Sequence, residues 1–259
     1  MTRHQRWWCV AIGGSVSLLL APRATADTTV SHGIWDQLLR RYVQGGLVDY
    51  RGLRSEHLTL AGYLVNLREV HLAQLGSPEE RLAFWLNAYN ACVVQCVLDR
   101  YPVTSVREIP GFFDKIRYRV GGRNLTLNEI EAQVRAFGDW RVHFALVCAS
   151  RSCPLLRAEA YDPERLEEQL VAQVTAFLQD NQQALRIEGG TLRVSKLFDW
   201  YATDFFPAAR LGLLRKLKPA LLKAVLEPYL EPSTTQMIGW LPQTPVKFLD
   251  YDWSLNEQL

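Results

Sequence analysis

The pattern of apolar and polar residues predicts a long helix over residues 77–100. Ser77 is a suitable N-cap, Pro78 suits the first helical position, and Glu80 completes a capping box. Apolar side chains then recur at helical spacing as far as the Tyr-Pro pair at 101–102, where the helix should stop. So many apolar positions predict that this helix is largely buried.

Two asparagines, Asn87 and Asn90, interrupt the apolar pattern of this helix on one face. A buried amide must be hydrogen-bonded, so the pair marks a face that makes polar contacts. It either ties a neighbouring loop in place or lines a site. Cys92 and Cys96 lie one turn apart on the same helix, which is a poor geometry for a disulfide, so we predict that both are core residues.

Alternation and paired glycines predict two β-hairpins and one further strand. Residues 115–125 and residues 184–194 each contain two short strand-like runs joined by Gly-Gly. Residues 142–148, VHFALVC, form an almost unbroken apolar run that predicts a buried strand.

The remaining elements are mostly helical. Thr126 with Glu129 predicts a capped helix, and residues 162–179 predict another. Helices are also predicted in KLFDWYATDFF and LGLLRKLKPALLKAVLEPYL, and VKFLDYDWSLN is strand-like. Together these elements predict an α+β fold in which several helices cover a small, mainly antiparallel sheet.

The N-terminal segment has the composition of an export signal. Two arginines precede an uncharged stretch over residues 7–20, and Ala-Thr-Ala at 24–26 has the form that signal peptidase cuts. The stretch is shorter than the roughly 20 residues that span a bilayer. We therefore predict a signal peptide at residues 1–26, a single domain at residues 27–259, and a periplasmic or secreted location.

The charge of the mature chain is nearly balanced. Removing the signal leaves 26 of the 29 Lys+Arg residues against 27 Asp+Glu. This balance gives no sign of a basic surface that would bind nucleic acid or an anionic membrane. We predict a small-molecule or peptide-like substrate, no nucleic-acid partner, and no membrane insertion after signal cleavage.

The candidate chemistry lies in RVHFALVCASRSCPLL, residues 141–156. If residues 142–148 are a strand, His143 and Cys148 point to opposite faces and lie about 16 Å apart, too far for a nucleophile and its base. Cys153 follows a polar turn that can bring the chain back, and a proline fixes the backbone after it. We therefore predict Cys153 as the nucleophile, activated by the imidazole of His143.

A third group must orient the imidazole, and Glu131 could supply that carboxylate, with Asp204 as its substitute. The alternative for Glu131 is an exposed i, i+4 ion pair with Arg135. For Asp204 the alternatives are a surface acid or a structural partner of Lys196.

Several segments together resemble the family of unknown function called DUF547. The resemblance rests on RLAFWLNAYNA, YPVTSVREI, LTLNEIEAQVR, VHFALVCASRSCPLLRAEAY, LRVSKLFDWYATDFF and VKFLDYDWSLN, which follow the family's order. It implies a fold similar to papain-like and transglutaminase-like thiol enzymes. Family members often carry a histidine after the glutamate, whereas this chain has Ala132 after Glu131.

These observations predict an exported, papain-like thiol hydrolase or acyltransferase that acts on an amide, thioester or peptide-like bond. Backbone N–H groups near Cys153, with Asn87 or Asn90, would stabilise the oxyanion. No cofactor and no metal are predicted.

Two alternatives stay open at this point. In an oxidising compartment Cys148 and Cys153 could form a structural disulfide in a non-catalytic periplasmic binding or scaffold protein. A zinc site could use His143 with both cysteines, although their spacing matches none of the common zinc patterns.

Overall fold

The structure is a computed structural model that describes residues 30–179, 183–206, 218–241 and 246–258. The α-helices in these ranges are α1 Gly33–Tyr42, α2 Tyr50–Leu53, α3 His57–Arg68, α4 Pro78–Leu98, α5 Leu127–Arg135, α6 Leu166–Gln179, α7 Leu197–Trp200, α8 Ala202–Phe205, α9 Pro219–Leu226 and α10 Pro232–Gly239. The 3-10 helices are Arg54–Glu56, Leu72–Gln74, Val106–Glu108, Trp140–Phe144, Pro163–Arg165 and Glu227–Tyr229. The strands are β1 Val43–Gln44, β2 Leu47–Val48, β3 Tyr118–Val120, β4 Arg123–Leu125, β5 Leu185–Glu188, β6 Thr191–Val194 and β7 Lys247–Phe248.

The α+β prediction is confirmed, but the strands do not form one small sheet. β1 pairs with β2 and β3 pairs with β4, each antiparallel and each as a separate two-stranded sheet. β5 pairs antiparallel with β6, and β7 joins the other edge of β6 in parallel. Both predicted hairpins are therefore present, and the sheet is divided into three small pieces.

α4 is the central helix, and its start follows the sequence prediction. The Ser77 hydroxyl accepts a hydrogen bond from the Glu80 backbone N–H at 3.0 Å. The Glu80 carboxylate accepts from the N–H of Gly76 at 2.6 Å, which is one residue earlier than a capping box requires. The residues from Leu82 to Leu98 are all buried, so the prediction of a buried helix is confirmed, and Cys92 and Cys96 belong to the core.

The described residues pack around two hydrophobic clusters. The first surrounds α4 and includes side chains of α1, α3 and α5. The second lies between the end of α6, the β5–β6 hairpin and helices α7 to α9. The 3-10 helix Trp140–Phe144 contributes to both, because Val142 belongs to the first cluster and Phe144 to the second. The candidate site lies next to this junction.

The predicted strand at residues 142–148 is wrong. The chain forms the 3-10 helix Trp140–Phe144 and then continues without a ladder partner as far as Ala149. This run is apolar because it is buried between two clusters, and burial from all sides removes the alternation that distinguishes strands from helices. The inference that His143 and Cys148 face opposite ways, about 16 Å apart, depended on that strand and fails with it.

The other helix predictions can be compared where the chain is described. The box of Thr126 and Glu129 starts α5, and residues 162–179 form a 3-10 turn followed by α6. The segment KLFDWYATDFF contains the short helices α7 and α8. The predicted signal peptide at 1–26 and the first part of the helical segment 211–230 lie outside the described residues. In the part of the chain that is described, no helix has the length and apolar character to cross a membrane.

Candidate active site

A cavity of about 370 Å³ brings most of the predicted site residues together. Its wall contains Glu131 from α5, His143 from the 3-10 helix, and both Cys148 and Cys153. The rest of the lining is mainly aromatic and apolar, namely Tyr89, Phe113, Asn128, Leu146, Val147, Leu197, Trp200, Tyr201, Tyr251 and Trp253. The cavity thus combines thiols, an imidazole and a carboxyl group within apolar walls.

His143 is held in place on two sides. Its Nε2 lies 2.9 Å from Oδ2 of Asp204 in α8, and its ring stacks on Tyr201 at 3.9 Å between ring centroids with an interplanar angle of 24°. Burial lowers the pKa of His143 to about 4, although the hydrogen bond and the charge of Asp204 act in the opposite direction. The imidazole is therefore neutral at pH 7. Because the carboxylate accepts from Nε2–H, the other ring nitrogen, Nδ1, is the unprotonated one.

Asp204 is the acid that contacts His143. Burial alone would raise the pKa of Asp204, but the hydrogen bonds from Arg135 and His143 outweigh it and lower the pKa to about 2. The Arg135 bond runs from Nε to Oδ2 at 2.7 Å. An ionised carboxylate of this kind can fix both the tautomer and the orientation of an imidazole.

Glu131, the predicted orienting acid, has a different position. Its carboxyl group hydrogen-bonds with Tyr201 and lies 3.9 Å from Nη1 of Arg135. Burial raises the pKa of Glu131. The contact to His143 therefore comes from the predicted substitute, Asp204, while Glu131 lies on the cavity wall and contacts the tyrosine that stacks on His143.

The two cysteines of the cavity differ in exposure. Cys153, the predicted nucleophile, is 6% exposed, and its Sγ accepts a hydrogen bond from the Cys148 backbone N–H at 2.8 Å. Cys148 is half-buried, and its Sγ lies 2.9 Å from the Ser150 hydroxyl and 3.2 Å from the Tyr251 hydroxyl. Both cysteines line the cavity, and Cys148 is the more exposed residue of the two.

The thiol pKa values are shifted in opposite directions. Burial alone would raise the pKa of Cys148, but hydrogen bonds from Cys153, Ser150 and Tyr251 outweigh it and lower the pKa to about 7. Burial raises the pKa of Cys153, and the neighbouring Cys148 sulfur adds to the increase. Cys148 is therefore the thiol that ionises first. The Cys153 thiol and two hydroxyl groups, not an imidazolium, provide the stabilisation.

The C-terminal segment fastens the loop between the two cysteines. The N–H of Arg151 donates to the carbonyl of Ser254 at 2.9 Å, and the N–H of Asn256 donates to the carbonyl of Ala149 at 3.1 Å. The Ser152 hydroxyl accepts from the N–H of Asp252 at 2.8 Å. These bonds place Tyr251 against Cys148, a role that the sequence prediction missed. The available signal was an extended run in which Tyr251 and Trp253 share one face.

Asn87 and Asn90 lie outside the cavity lining. The Asn87 amide exchanges two hydrogen bonds with the backbone of Tyr161, both at 2.8 Å. The Asn90 amide donates to the carbonyl of Ala145 at 3.0 Å and accepts from the N–H of Val147 at 3.1 Å. Both amides therefore tie neighbouring loops in place, which is the first of the two alternatives that the sequence left open. Neither lines the cavity in which it would stabilise an oxyanion.

The sequence left a disulfide and a zinc site open as alternatives for the cavity cysteines. Within the described ranges Cys92, Cys96, Cys148 and Cys153 all carry free thiols. No group of three or more His, Cys, Asp or Glu side chains in those ranges is arranged to hold a metal ion.

The fold and the cavity define an α+β protein with a paired thiol site and a carboxylate-bound histidine. Residues 72–178 match the family profile described as "Protein of unknown function, DUF547". The match supports the family resemblance, and it includes Glu131, His143 and both cavity cysteines but not Asp204 or Tyr251. The chain has no significant match among curated proteins or among solved structures.

Proposed function

We propose that the protein is an exported thiol-dependent hydrolase or acyltransferase acting on an amide, thioester or peptide-like bond, with Cys148 as its nucleophile. The observation that carries the proposal is the position of the Cys148 sulfur, which lies beside two hydroxyl groups in the wall of a cavity that also contains His143. Cys153, the choice made from the sequence, is a weaker candidate because it is more deeply buried and ionises less readily.

In the proposed reaction the Cys148 thiolate attacks the carbonyl carbon of the substrate. A C–S bond forms and the carbonyl oxygen becomes an oxyanion. The bond to the leaving group then breaks to give an acyl-thioester on Cys148, and the leaving group departs with the electron pair, as a thiolate or with a proton taken from water. Water or another acceptor attacks the acyl group, and the free Nδ1 of neutral His143 accepts the proton of that nucleophile. Collapse of this second intermediate breaks the C–S bond and returns the Cys148 thiolate, and His143 releases its proton to solvent and becomes neutral again. Asp204 is a positioning residue that keeps the imidazole in the required tautomer.

The walls of the cavity favour a substrate with an apolar or planar group next to the scissile bond. Trp200, Tyr251 and Trp253 form a contiguous aromatic surface, with ring centroids 4.8 Å apart for the first pair and 4.6 Å apart for Tyr251 and Trp253. Trp200 remains 45% exposed. Aromatic surfaces of this kind bind apolar groups without requiring a charged partner.

Acyl transfer can be tested by trapping the acyl-enzyme. The reduced protein is incubated with a panel of small aryl esters, thioesters and anilides, and intact-mass and peptide spectra are recorded after acid quenching. We expect an acyl adduct on Cys148 that hydroxylamine removes, no adduct on Cys148→Ser, and the normal adduct on the buried control variant Cys92→Ser. The absence of a Cys148 adduct, together with turnover that does not depend on Cys148, would refute the proposal.

We also propose that the protein is exported through the signal at residues 1–26, acts on a small-molecule or peptide-like substrate without a nucleic-acid partner, and does not insert into a membrane after cleavage. N-terminal sequencing of the exported protein tests this proposal. A mature chain that begins near Asp27 is expected, whereas a retained Met1 would contradict it.

A further inference from the structure

The cavity contains a second thiol that the proposed acyl transfer does not use. Cys153 is buried behind Cys148, and the Cys148 backbone N–H donates to its sulfur at 2.8 Å. The two side-chain sulfurs also interact with each other. Cys92 and Cys96 are buried on α4 and are not part of the cavity lining. Among the cysteines that the structure describes, Cys153 is thus the one placed to react with a modified Cys148.

We propose that Cys148 is a site of oxidation by hydroperoxides and that Cys153 resolves the oxidised residue into a reversible Cys148–Cys153 disulfide. The proposal does not depend on acyl transfer, because it needs only the two thiols and the loop that joins them. In the first step the Cys148 thiolate attacks the terminal peroxide oxygen, an S–O bond forms, the O–O bond breaks, and the leaving alkoxide or hydroxide takes a proton from water. In the second step the Cys153 sulfur attacks the Cys148 sulfenic acid, an S–S bond forms, and water leaves.

The order of the two steps follows from the surroundings of each sulfur. Cys148 is the more exposed residue of the two and has hydroxyl groups from Ser150 and Tyr251 to stabilise its thiolate, so it reacts with the oxidant first. The Cys148 sulfur raises the pKa of Cys153, both as a hydrogen-bond partner and as a charge. Conversion to a neutral sulfenic acid removes that charge. The Cys148 backbone N–H, which favours the Cys153 thiolate, stays in place.

The loop between the cysteines is already held in the shape that brings the two sulfurs together. Cys153 N–H donates to the carbonyl of Ser150 at 3.1 Å, and Ala149 has a left-handed backbone with φ of 58°. The C-terminal segment holds the loop from outside through Arg151, Ser152 and Ala149. Because the loop is tied before oxidation, disulfide formation requires little loss of chain entropy.

A disulfide at this position would switch off any chemistry that needs a free Cys148. Oxidation would consume the Cys148 thiol, and a thiol reductant would restore it. In an oxidising compartment the pair would thus control activity through the supply of reductant.

In the test, the reduced full chain is treated with equimolar hydrogen peroxide at pH 7, with and without a dimedone-type sulfenic acid trap. The products are then mapped by peptide mass spectrometry. The wild type should lose two hydrogen atoms, form the Cys148–Cys153 cross-link and recover fully with dithiothreitol. Cys153→Ser and Cys153→Ala should instead accumulate the trapped sulfenic acid on Cys148. Cys148→Ser should lose thiols at least about tenfold more slowly than the wild type. The control Cys92→Ser should behave as the wild type.

Three results would overturn the inference: no cross-link in the wild type, sulfenic acid found first on Cys153, or the same oxidation product in wild type and in both Cys153 variants. Circular dichroism of each variant before treatment establishes that it is folded. Two substitutions of Cys153 are used so that the test remains possible if one of the variants does not fold. Failure of the acyl-trapping experiment leaves these expectations unchanged, so the two proposals are distinguished.

Discussion

The Tyr251 hydroxyl offers the sharpest test of why Cys148 would be reactive. It lies 3.2 Å from the Cys148 sulfur, and its ring packs against Trp200 and Trp253. Tyr251→Phe removes the hydroxyl and keeps the ring, so the aromatic surface should survive while one donor to the thiolate is lost.

The size of the effect follows from the hydrogen bonds that remain. A hydrogen bond to a charged group contributes about 1.5–3 kcal/mol, and about 1.4 kcal/mol corresponds to one pKa unit. Ser150 and Cys153 still interact with the Cys148 sulfur in the variant, and solvent can partly replace the lost hydroxyl. We therefore expect the midpoint of Cys148 ionisation to rise from about 7 by roughly one pH unit.

A rate measured at a single pH would underestimate this change. At pH 7 the thiolate fraction should fall from about half to about one-tenth, but a more basic thiolate is also more nucleophilic, with a Brønsted slope of about 0.4–0.5. The higher nucleophilicity offsets much of the roughly fivefold loss of thiolate, so alkylation at pH 7 should slow only about twofold. The pH midpoint of labelling, rather than the rate at one pH, therefore shows whether the Tyr251 hydroxyl stabilises the thiolate.

The assay follows iodoacetamide labelling of each cysteine by peptide mass spectrometry from pH 5 to pH 10. Wild-type Cys148 should be labelled first with a midpoint near 7, and Tyr251→Phe should move that midpoint upward. Tyr229→Phe, which lies outside the cavity lining, is the matched control and should leave the midpoint unchanged. An unchanged midpoint in Tyr251→Phe, or faster labelling of Cys153 than of Cys148, would refute the reasoning.

Three further predictions concern the histidine and the loop that follows it. Asp204→Asn should release the fixed tautomer of His143 and lower its pKa further, as measured by nitrogen-15 NMR of the ring, because the hydrogen bond and charge of Asp204 favour the protonated form. The free energy of unfolding should decrease as the pH is lowered from 6.5 to about 4, since the unfolded imidazole binds a proton there and the folded one does not. His143 should contribute about 3 kcal/mol, and His143→Asn should remove its share of this slope in denaturant titrations, while the share of His32, whose pKa burial also lowers to about 4, remains. Asn90→Ala should lower the free energy of unfolding by about 1–3 kcal/mol in the same titrations, because it leaves the buried Val147 N–H without its partner and removes the shorter of two hydrogen bonds to the Ala145 carbonyl, which keeps the Tyr161 hydroxyl at 3.4 Å.

Each of these predictions has a matched control. Glu131→Gln should leave the His143 tautomer unchanged, because Glu131 contacts Tyr201 and not the imidazole; a tautomer change in this variant alone would restore Glu131 as the orienting acid. An acid slope that His143→Asn does not alter would show that His143 is protonated equally in both states. Asn66→Ala on the exposed face of α3 should be nearly neutral, and equal losses for Asn66 and Asn90 would contradict the structural role assigned to Asn90.

The parts of the fold that the sequence predicted well are those governed by local chemistry. The Ser77-Pro78 start of α4 and the box of Thr126 and Glu129 depend on residues within one turn, so a single sequence is sufficient. The Gly-Gly hairpins are of the same kind, because the glycines at 121–122 and 189–190 all adopt the positive φ angles that the turns require.

The site depended on contacts that no local pattern records. His143 meets Asp204 across 61 positions of the chain, and Cys148 meets Tyr251 across 103. The apolar run at 142–148 was assigned to a strand because burial between two clusters and burial in a sheet produce the same composition. That error determined the choice of nucleophile, since it separated His143 from Cys148 and left Cys153 as the remaining thiol.

The protonation states of the cavity residues bear on which bond the proposed acyl transfer would cleave. A thioester releases a thiolate that needs no proton, so its cleavage should increase with pH to a plateau as Cys148 ionises around pH 7. An amide releases an amine that must be protonated, and neutral His143 can supply a proton only if it first removes one from the Cys148 thiol. Amide cleavage should therefore decline above pH 7, where that thiol is lost. The pH dependence should be measured over this range with matched thioester and amide substrates. A rising plateau for both would mean that another group protonates the amine, and the cavity offers two candidates that interact with the Cys148 sulfur and retain their protons to higher pH, namely the Cys153 thiol and the Tyr251 hydroxyl.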